Sequence, residues 1–313
     1  MSAESGAGVY PAPITTIEIL YATDFSTPAW RALACARQIA LQRHVFLRFV
    51  HIVDLSSQEI SHHTSFHAAL ESSHRTLRRI RRELRLAGIR EGATVITSGS
   101  TAQAIRDAAV RYKSSLILMG LHGEPGLTVP TFGMTTRKIL RQPPCPVLTV
   151  GLRGPETAAG SFERVLFVTD TDAGSLTAAC NAWPASIHGQ PRSHFVVLAP
   201  ALSASVLGAP PAPPIVAPAG AVSLDRPPQL CPHENAAETI LAEAARLGAN
   251  LIVLSIRGGG PIDSLGVGSV ARTVITGALC PVLTVRTGAP TTPMRLDRRI
   301  PTGTDISAAG LHS

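Results

Sequence analysis

A stretch that occurs twice constrains this chain more than any other feature. Residues 116–150 read LILMGLHGEPGLTVPTFGMTTRKILRQPPCPVLTV, and residues 251–285 read LIVLSIRGGGPIDSLGVGSVARTVITGALCPVLTV. CPVLTV recurs letter for letter at Cys145 to Val150 and Cys280 to Val285. Each copy has the order of a buried strand, a glycine-bearing loop, a helix and a second strand. Two copies mean two similar units. The length of 313 residues, at roughly 150 per domain, leads to the same count.

A parallel strand that runs into glycines and then a helix leaves backbone N–H groups unpaired and pointing at one spot, which attracts phosphate. Gly120 and Gly123 are followed by Gly133, just where a helix over 134–141 is predicted to begin. Turn glycines in an ordinary α/β sheet look similar one at a time. The spacing with its flanking strands, met twice, is more specific.

The pattern G-x2-G-x9-G, followed by a helix and a PCPVL-type strand, resembles the ATP-binding signature of universal stress proteins. The resemblance implies a site for ATP, with magnesium as its accompanying ion. In the first half its residues are Asp24, Ile52, Met119, Gly120, Gly123, Gly133 and Thr135. In the second they are Asp170, Ser255, Gly258, Gly268 and Ser269. Asp24 lies in a TDFS turn at the end of the first predicted strand, 17–23, where ligands bind in open parallel sheets. By resemblance it contacts the adenine and ribose side of the nucleotide, and the Ile52 backbone meets the adenine. A second role for Asp24, capping the helix that follows, is compatible with the first.

Neither half keeps the whole pattern. Met134 stands where the family has a serine or threonine, and a thioether donates no hydrogen bond to phosphate, so Thr135 or Thr136 would have to compensate. Ser255 replaces the first glycine of the second loop, and Pro200 falls opposite Ile52. The first half is therefore expected to hold the nucleoside part of the ligand better. The second, with Gly268 and Ser269, is expected to hold the phosphate end better.

Along the chain, strands at 17–23, 45–53, 94–98, 116–119 and 147–150 alternate with helices at 29–42, 74–87, 103–112 and 134–141. This alternation predicts an α/β fold of two tandem doubly wound domains, each with a five-stranded parallel sheet. The domains are read as 14–150 and 163–286, joined by a linker at 151–162, with a disordered segment at 1–13 and a flexible tail at 287–313. The second unit is shorter between equivalent points, Asp24 to Gly133 against Asp170 to Gly268. A proline-rich insert, 200–228, stands where the first unit has an arginine-rich helix. Because universal stress proteins often dimerise through their last strand, the two copies are expected to face each other through 147–150 and 282–285 as an intramolecular pseudo-dimer. A homodimer of whole chains is a further expectation.

The formal charge of +7 lies wholly in residues 1–150. Arg75, Arg78, Arg79, Arg81, Arg82, Arg85 and Arg90, against Glu83, supply nearly all of it. It is one helix's property, and a solvated face is its ordinary meaning. Aromatic residues are only 4%, which supplies few base-stacking platforms and argues against specific nucleic-acid recognition. His63 and His67 have a metal-like spacing without accompanying carboxylates or cysteines, so no metal site is assigned. The five cysteines form no C-x-x-C pair and read as core residues of a reducing compartment. With no signal-peptide pattern at the N-terminus, the expected localisation is cytoplasmic. The uncharged stretch 195–224 could span a bilayer by length, but its prolines argue against a membrane span.

The sequence contains no H-E-x-x-H, no G-x-S-x-G and no complete P-loop, so the expected activity is at most slow ATP hydrolysis. The leading reading is a stress-response protein that switches on adenine nucleotide and acts on an unidentified protein partner. The alternative is a nucleotide-independent adaptor working through residues 75–90 and the proline-rich segment.

Overall fold

The computed structural model describes residues 16–42, 45–53, 63–96, 100–122, 133–153, 162–170, 175, 192–199, 223–224, 229–232, 235–257 and 268–287. The first half runs β1 (Ile17–Thr23), α1 (Thr27–Gln42), β2 (Val45–Ile52), α2 (His63–Leu86), β3 (Arg90–Ile96), α3 (Thr101–Arg111), β4 (Leu116–Gly120), α4 (Met134–Arg141) and β5 (Val147–Val150). The second half contributes β6 (Arg164–Asp170), β7 (Arg192–Ala199), β8 (Ser223–Leu224), β9 (Gln229–Pro232), α5 (Ala236–Leu247), β10 (Leu251–Arg257), α6 (Ser269–Gly277) and β11 (Val282–Thr287).

Instead of two separate five-stranded sheets there is one continuous sheet of eleven strands, ordered β3-β2-β1-β4-β5-β11-β10-β6-β7-β8, with β9 also paired to β7. All pairs within each half are parallel. The halves meet where β5 and β11 pair antiparallel, Val282 with Thr149, Leu283 with Leu148 and Thr284 with Val147. The expected meeting of the two last strands is therefore what the structure shows, and it fuses the sheets. The reason is in the repeat: two copies of V-L-T laid antiparallel pair residue for residue about their leucines. Without this pairing each would present an open edge of unpaired N–H and C=O groups.

Strand alternation sorts the core into two layers. Ile19, Tyr21, Leu47, Phe49, Leu118, Leu148 and Leu283 face one side with α1 and α2. Leu20, Ala22, Val50, Ile117, Val147 and Val282 face the other with α3 to α6. Each layer runs through both halves.

Three element boundaries differ from expectation. Helix α2 begins at His63, well before residue 74. Strand β3 begins at Arg90, not at 94, because Gly88 takes a positive φ of 76° and turns the chain at once, so that Arg90 already pairs with Phe46. In the second half the position of β3 is filled by two short pieces, β8 and β9, both paired with β7. Residues 1–13, 200–222 and 288–313 lie outside the described residues, as do Pro200 and the side chain of Cys231. Cys35, Cys145 and Cys280 are free thiols, and burial pushes each up to about 12.

Candidate functional site

The strand order reverses direction at β1, between β2 and β4, and ligands of open parallel sheets sit outside the carboxyl ends of the strands at such a point. The chain leaves β1 through Thr23-Asp24-Phe25-Ser26. The Phe25 N–H donates to Thr23 Oγ1 at 3.0 Å. The Ser26 N–H and hydroxyl both donate to Asp24 Oδ1, at 3.0 and 2.5 Å. Ser26 O then accepts from the Trp30 N–H at 3.0 Å and opens α1. This turn holds Phe25 at φ 62°, a left-handed conformation that costs a bulky residue on the order of 1–3 kcal/mol. Asp24 is exposed, and only its Oδ1 braces the turn. It shapes the entry to α1 through Ser26 without being the residue next to the helix.

Beneath the turn lies a buried polar pair that the sequence did not single out. His51, near the end of β2, is 2.9 Å from Thr23 O through Nδ1 and 2.9 Å from Ser73 Oγ through Nε2. A carbonyl only accepts, so Nδ1 carries the hydrogen and Nε2 accepts from the Ser73 hydroxyl. Burial lowers the His51 pKa, against the bond to Thr23 and the charge of Asp24. The Phe25 ring lies 4.4 Å from the imidazole. Histidine at a strand end was the visible signal, but its partner Ser73 comes from a part of α2 that lay outside the helix as read from sequence.

On the β4 side, Gly120 is fixed by packing. A Cβ there would stand 2.9 Å from both the Ala29 nitrogen and the Pro28 carbonyl carbon. The close approach that forbids a side chain is therefore that of α1. No ligand is needed to explain this glycine. Two hydrogen bonds then tie the end of β4 to the start of α4: Gly133 N–H to Leu121 O at 3.2 Å, and Thr136 Oγ1 to Gly120 O at 3.3 Å.

These bonds decide which groups are left for a ligand. The Gly133 N–H is spent, and Thr136 is buried and points inward, so it cannot replace the missing hydroxyl at Met134. Thr135 is half-buried, and Met134 is 74% exposed. No side chain caps α4, so the N–H groups of its first turn lack intrahelical partners. The His122 Cα lies 3.5 Å from where a Cβ on Gly133 would be; both of its ring nitrogens are buried and unpartnered, and burial lowers the pKa of this imidazole. An orphaned imidazole next to an uncapped helix start is chemistry that fits a phosphate-bearing ligand.

Met119 is buried in β4, aligned with Ala22 and Thr149, and Ile52 ends β2 opposite Ile96, partly buried. In the second half, Ser255 donates to Val168 O at 3.4 Å. Gly268 precedes α6 with no atom of the described residues beyond its chain neighbours within 4 Å of where a Cβ would be, and Ser269 is exposed at the helix start. Asp170 ends β6 opposite Leu198. Gly123, Gly258 and the Asp170 side chain lie outside the described residues. Among the described residues there is no group of three or more His, Cys, Asp or Glu able to hold a metal. None of the described helices is long and apolar enough to cross a membrane.

The model of the universal stress protein family matches residues 18–151 and 231–286, more than half of the chain. This chain belongs to the universal stress protein family. A Thermus aquaticus relative, the universal stress protein in the QAH/OAS sulfhydrylase 3′ region, is 31% identical over 133 residues. That match covers 42% of this chain and 96% of the relative. Among solved structures, a universal stress protein from Archaeoglobus fulgidus DSM 4304 aligns with TM-score 0.64 at 16% identity, covering 86% of this chain and 96% of that one. One from Pseudomonas aeruginosa UCBPP-PA14 aligns with TM-score 0.56 at 16% identity, covering 88% and 94%. The Thermus aquaticus relative thus matches 42% of this chain, whereas these two structures share its fold over most of its length.

Proposed function

We propose that this universal stress protein binds an adenine nucleotide, ATP with its magnesium ion, at the carboxyl ends of β1 and β4 in its first half, and acts as a nucleotide-dependent switch in a stress response. The observation that carries this reading is the set of groups left over at this end of the sheet: the exposed Asp24 carboxylate, whose Oδ1 alone braces the turn, the open start of α4 and the unpartnered nitrogens of His122. Asp24 and the Ile52 backbone would take the nucleoside, Met119 and Gly120 would floor the crevice, and Gly123, Gly133 and Thr135 would border the phosphates. In the second half, Ser255 turns its hydroxyl to its own sheet, which leaves Gly268 and Ser269, with Gly258 and Asp170, as the weaker, phosphate-end site.

The test is calorimetric titration with MgATP, preceded by heat denaturation of the purified protein and assay of any released nucleotide. Asp24→Asn keeps an oxygen to accept from Ser26 but removes the charge, whereas Asp24→Ala removes both. Loss of a hydrogen bond to a charged group costs about 1.5–3 kcal/mol, so Asp24→Ala should weaken ATP roughly ten- to a hundredfold. Asp24→Asn should keep the turn and still lose affinity. Unchanged affinity in both variants, with ATP bound in the first half, would remove Asp24 from the site; no binding by the unaltered protein would overturn the proposal.

A further inference from the structure

Helix α2 is a rod of 24 residues whose arginines the structure divides into two sets. Leu77, Ile80 and Leu84 are buried against the sheet. On one flank of that apolar stripe, Arg81 Nε lies 2.5 Å from Glu91 Oε2 and Arg85 Nη1 lies 3.5 Å from Glu91 Oε1, so a single buried carboxylate of β3 holds both guanidinium groups. Arg75, Arg78, Arg79 and Arg82 are exposed on the outer side and have no carboxylate partner among the described residues. Their spacing of three, four and seven places them on one stripe about 10 Å long. Glu71 precedes the stripe and Glu83 flanks it, and neither pairs with it. Arg79 also stands 6.0 Å over the indole of Trp30, a half-buried residue of α1.

We propose that this outer face of α2 docks on the phosphodiester backbone of duplex nucleic acid, without regard to base sequence. Four chemical arguments select that partner. Helix α2 has no lysine, and its permanent cations are all arginine, whose planar fork matches phosphate oxygens two at a time. The helix has already spent its apolar face on the sheet, so it cannot insert into a lipid surface as an amphipathic helix does. Among the residues of α2 whose exposure is described, Leu86, beyond the stripe, is the one exposed large apolar residue, so a protein partner would meet no apolar centre along the arginine stripe. Trp30 lies under Arg79 and offers no free stacking platform, which favours a duplex over unpaired bases. The face lies with α1 on the layer opposite α3 and α4, so docking here leaves the start of α4 uncovered.

The experiment is fluorescence anisotropy of a labelled 20-base-pair DNA duplex titrated with the full chain between 50 and 200 mM salt. Four phosphate contacts give a slope of log affinity against log salt of about −3.6, a loss of roughly a hundredfold across that range. The triple variant Arg75→Ala, Arg78→Ala, Arg82→Ala, all at exposed positions, should lower the slope to about −0.9. A control that removes three exposed charges outside α2, Arg111→Ala, Arg141→Ala, Arg153→Ala, should leave the slope near that of the unaltered protein. Circular dichroism checks that both variants keep their helix content. Absence of binding at 50 mM salt, or an equal fall in slope for both triples, would overturn the proposal. So would α2-dependent binding to phosphatidylserine vesicles without binding to the duplex.

Discussion

Replacing Gly120 by alanine separates a packing role from a ligand role. The added methyl would sit 2.9 Å from Ala29 N, 2.9 Å from the Pro28 carbonyl carbon and 3.0 Å from Pro28 Cβ. Two of the three are backbone atoms, so relief requires the first turn of α1 to move off the end of β4, and no flexible side-chain tip can yield instead. Overpacking of this kind costs about 1–3 kcal/mol. For domains of this size that is a fall in melting temperature of roughly 2–12 °C. The matched comparison is Gly268→Ser, where no atom of the described residues beyond its chain neighbours lies within 4 Å of the added Cβ and the backbone, at φ −56° and ψ 157°, suits any residue. Serine there offers an oxygen to the open first turn of α6 and restricts the unfolded chain, so a gain of a few tenths to about 1 kcal/mol is expected. Urea unfolding followed by circular dichroism gives both midpoints without ligand. An unchanged midpoint for Gly120→Ala, or an equal loss for Gly268→Ser, would refute the reasoning that only the first of these glycines is forced by contact.

Two other outcomes follow from buried contacts. Because burial depresses the His51 pKa, the unfolded chain takes up a proton near pH 6.5 that the folded chain refuses, so stability is present above that pH and falls as pH drops below it. His51→Asn, which keeps a donor for Thr23 O, should flatten the fall in urea midpoint between pH 7.5 and 5.5, leaving a remnant from His122, which shifts the same way. An identical pH slope in variant and parent would contradict this. Leu148→Ala and Leu283→Ala should each cost about 2–5 kcal/mol, and because the two residues are paired across the junction the double variant should depart from additivity by about 0.5–3 kcal/mol. Strict additivity would show that the leucines do not share one core.

The repeated segment was legible in detail. Helix α4 and strand β5 lie where the aliphatic spacing puts them, because their burial repeats at the helix and strand periods. Strand β3 was placed late because Arg90, Glu91 and Gly92 have no strand character of their own. Glu91 is held there by Arg81 and Arg85 of the preceding helix, and a Cβ on Gly92 would lie 3.1 Å from the Phe46 ring, both contacts between elements that the strand's own residues do not reveal. The start of α2 was hidden because a serine continues its buried stripe: Ser73 lies four residues before Leu77, and its hydroxyl is matched there by His51. In the candidate site, the residue types were readable but their commitments were not. Nothing in the spelling of Thr135-Thr136 tells which hydroxyl turns inward, and Gly120 gives no sign that a helix, and not a ligand, excludes its side chain.

The junction of β5 with β11 has a consequence for how the two sites can change. In a dimer of identical chains any substitution appears twice, once on each side of the two-fold axis, so a loss in one pocket is a loss in both. Here the same self-pairing strand is encoded twice in one chain. Met134 and Ser255 each alter one crevice and leave its twin untouched, while CPVLTV keeps the pair together. A covalent tether of this kind holds the second copy at an effective concentration on the order of millimolar. The two halves can therefore drift along separate lines, a heterodimer assembled without any need to find its partner.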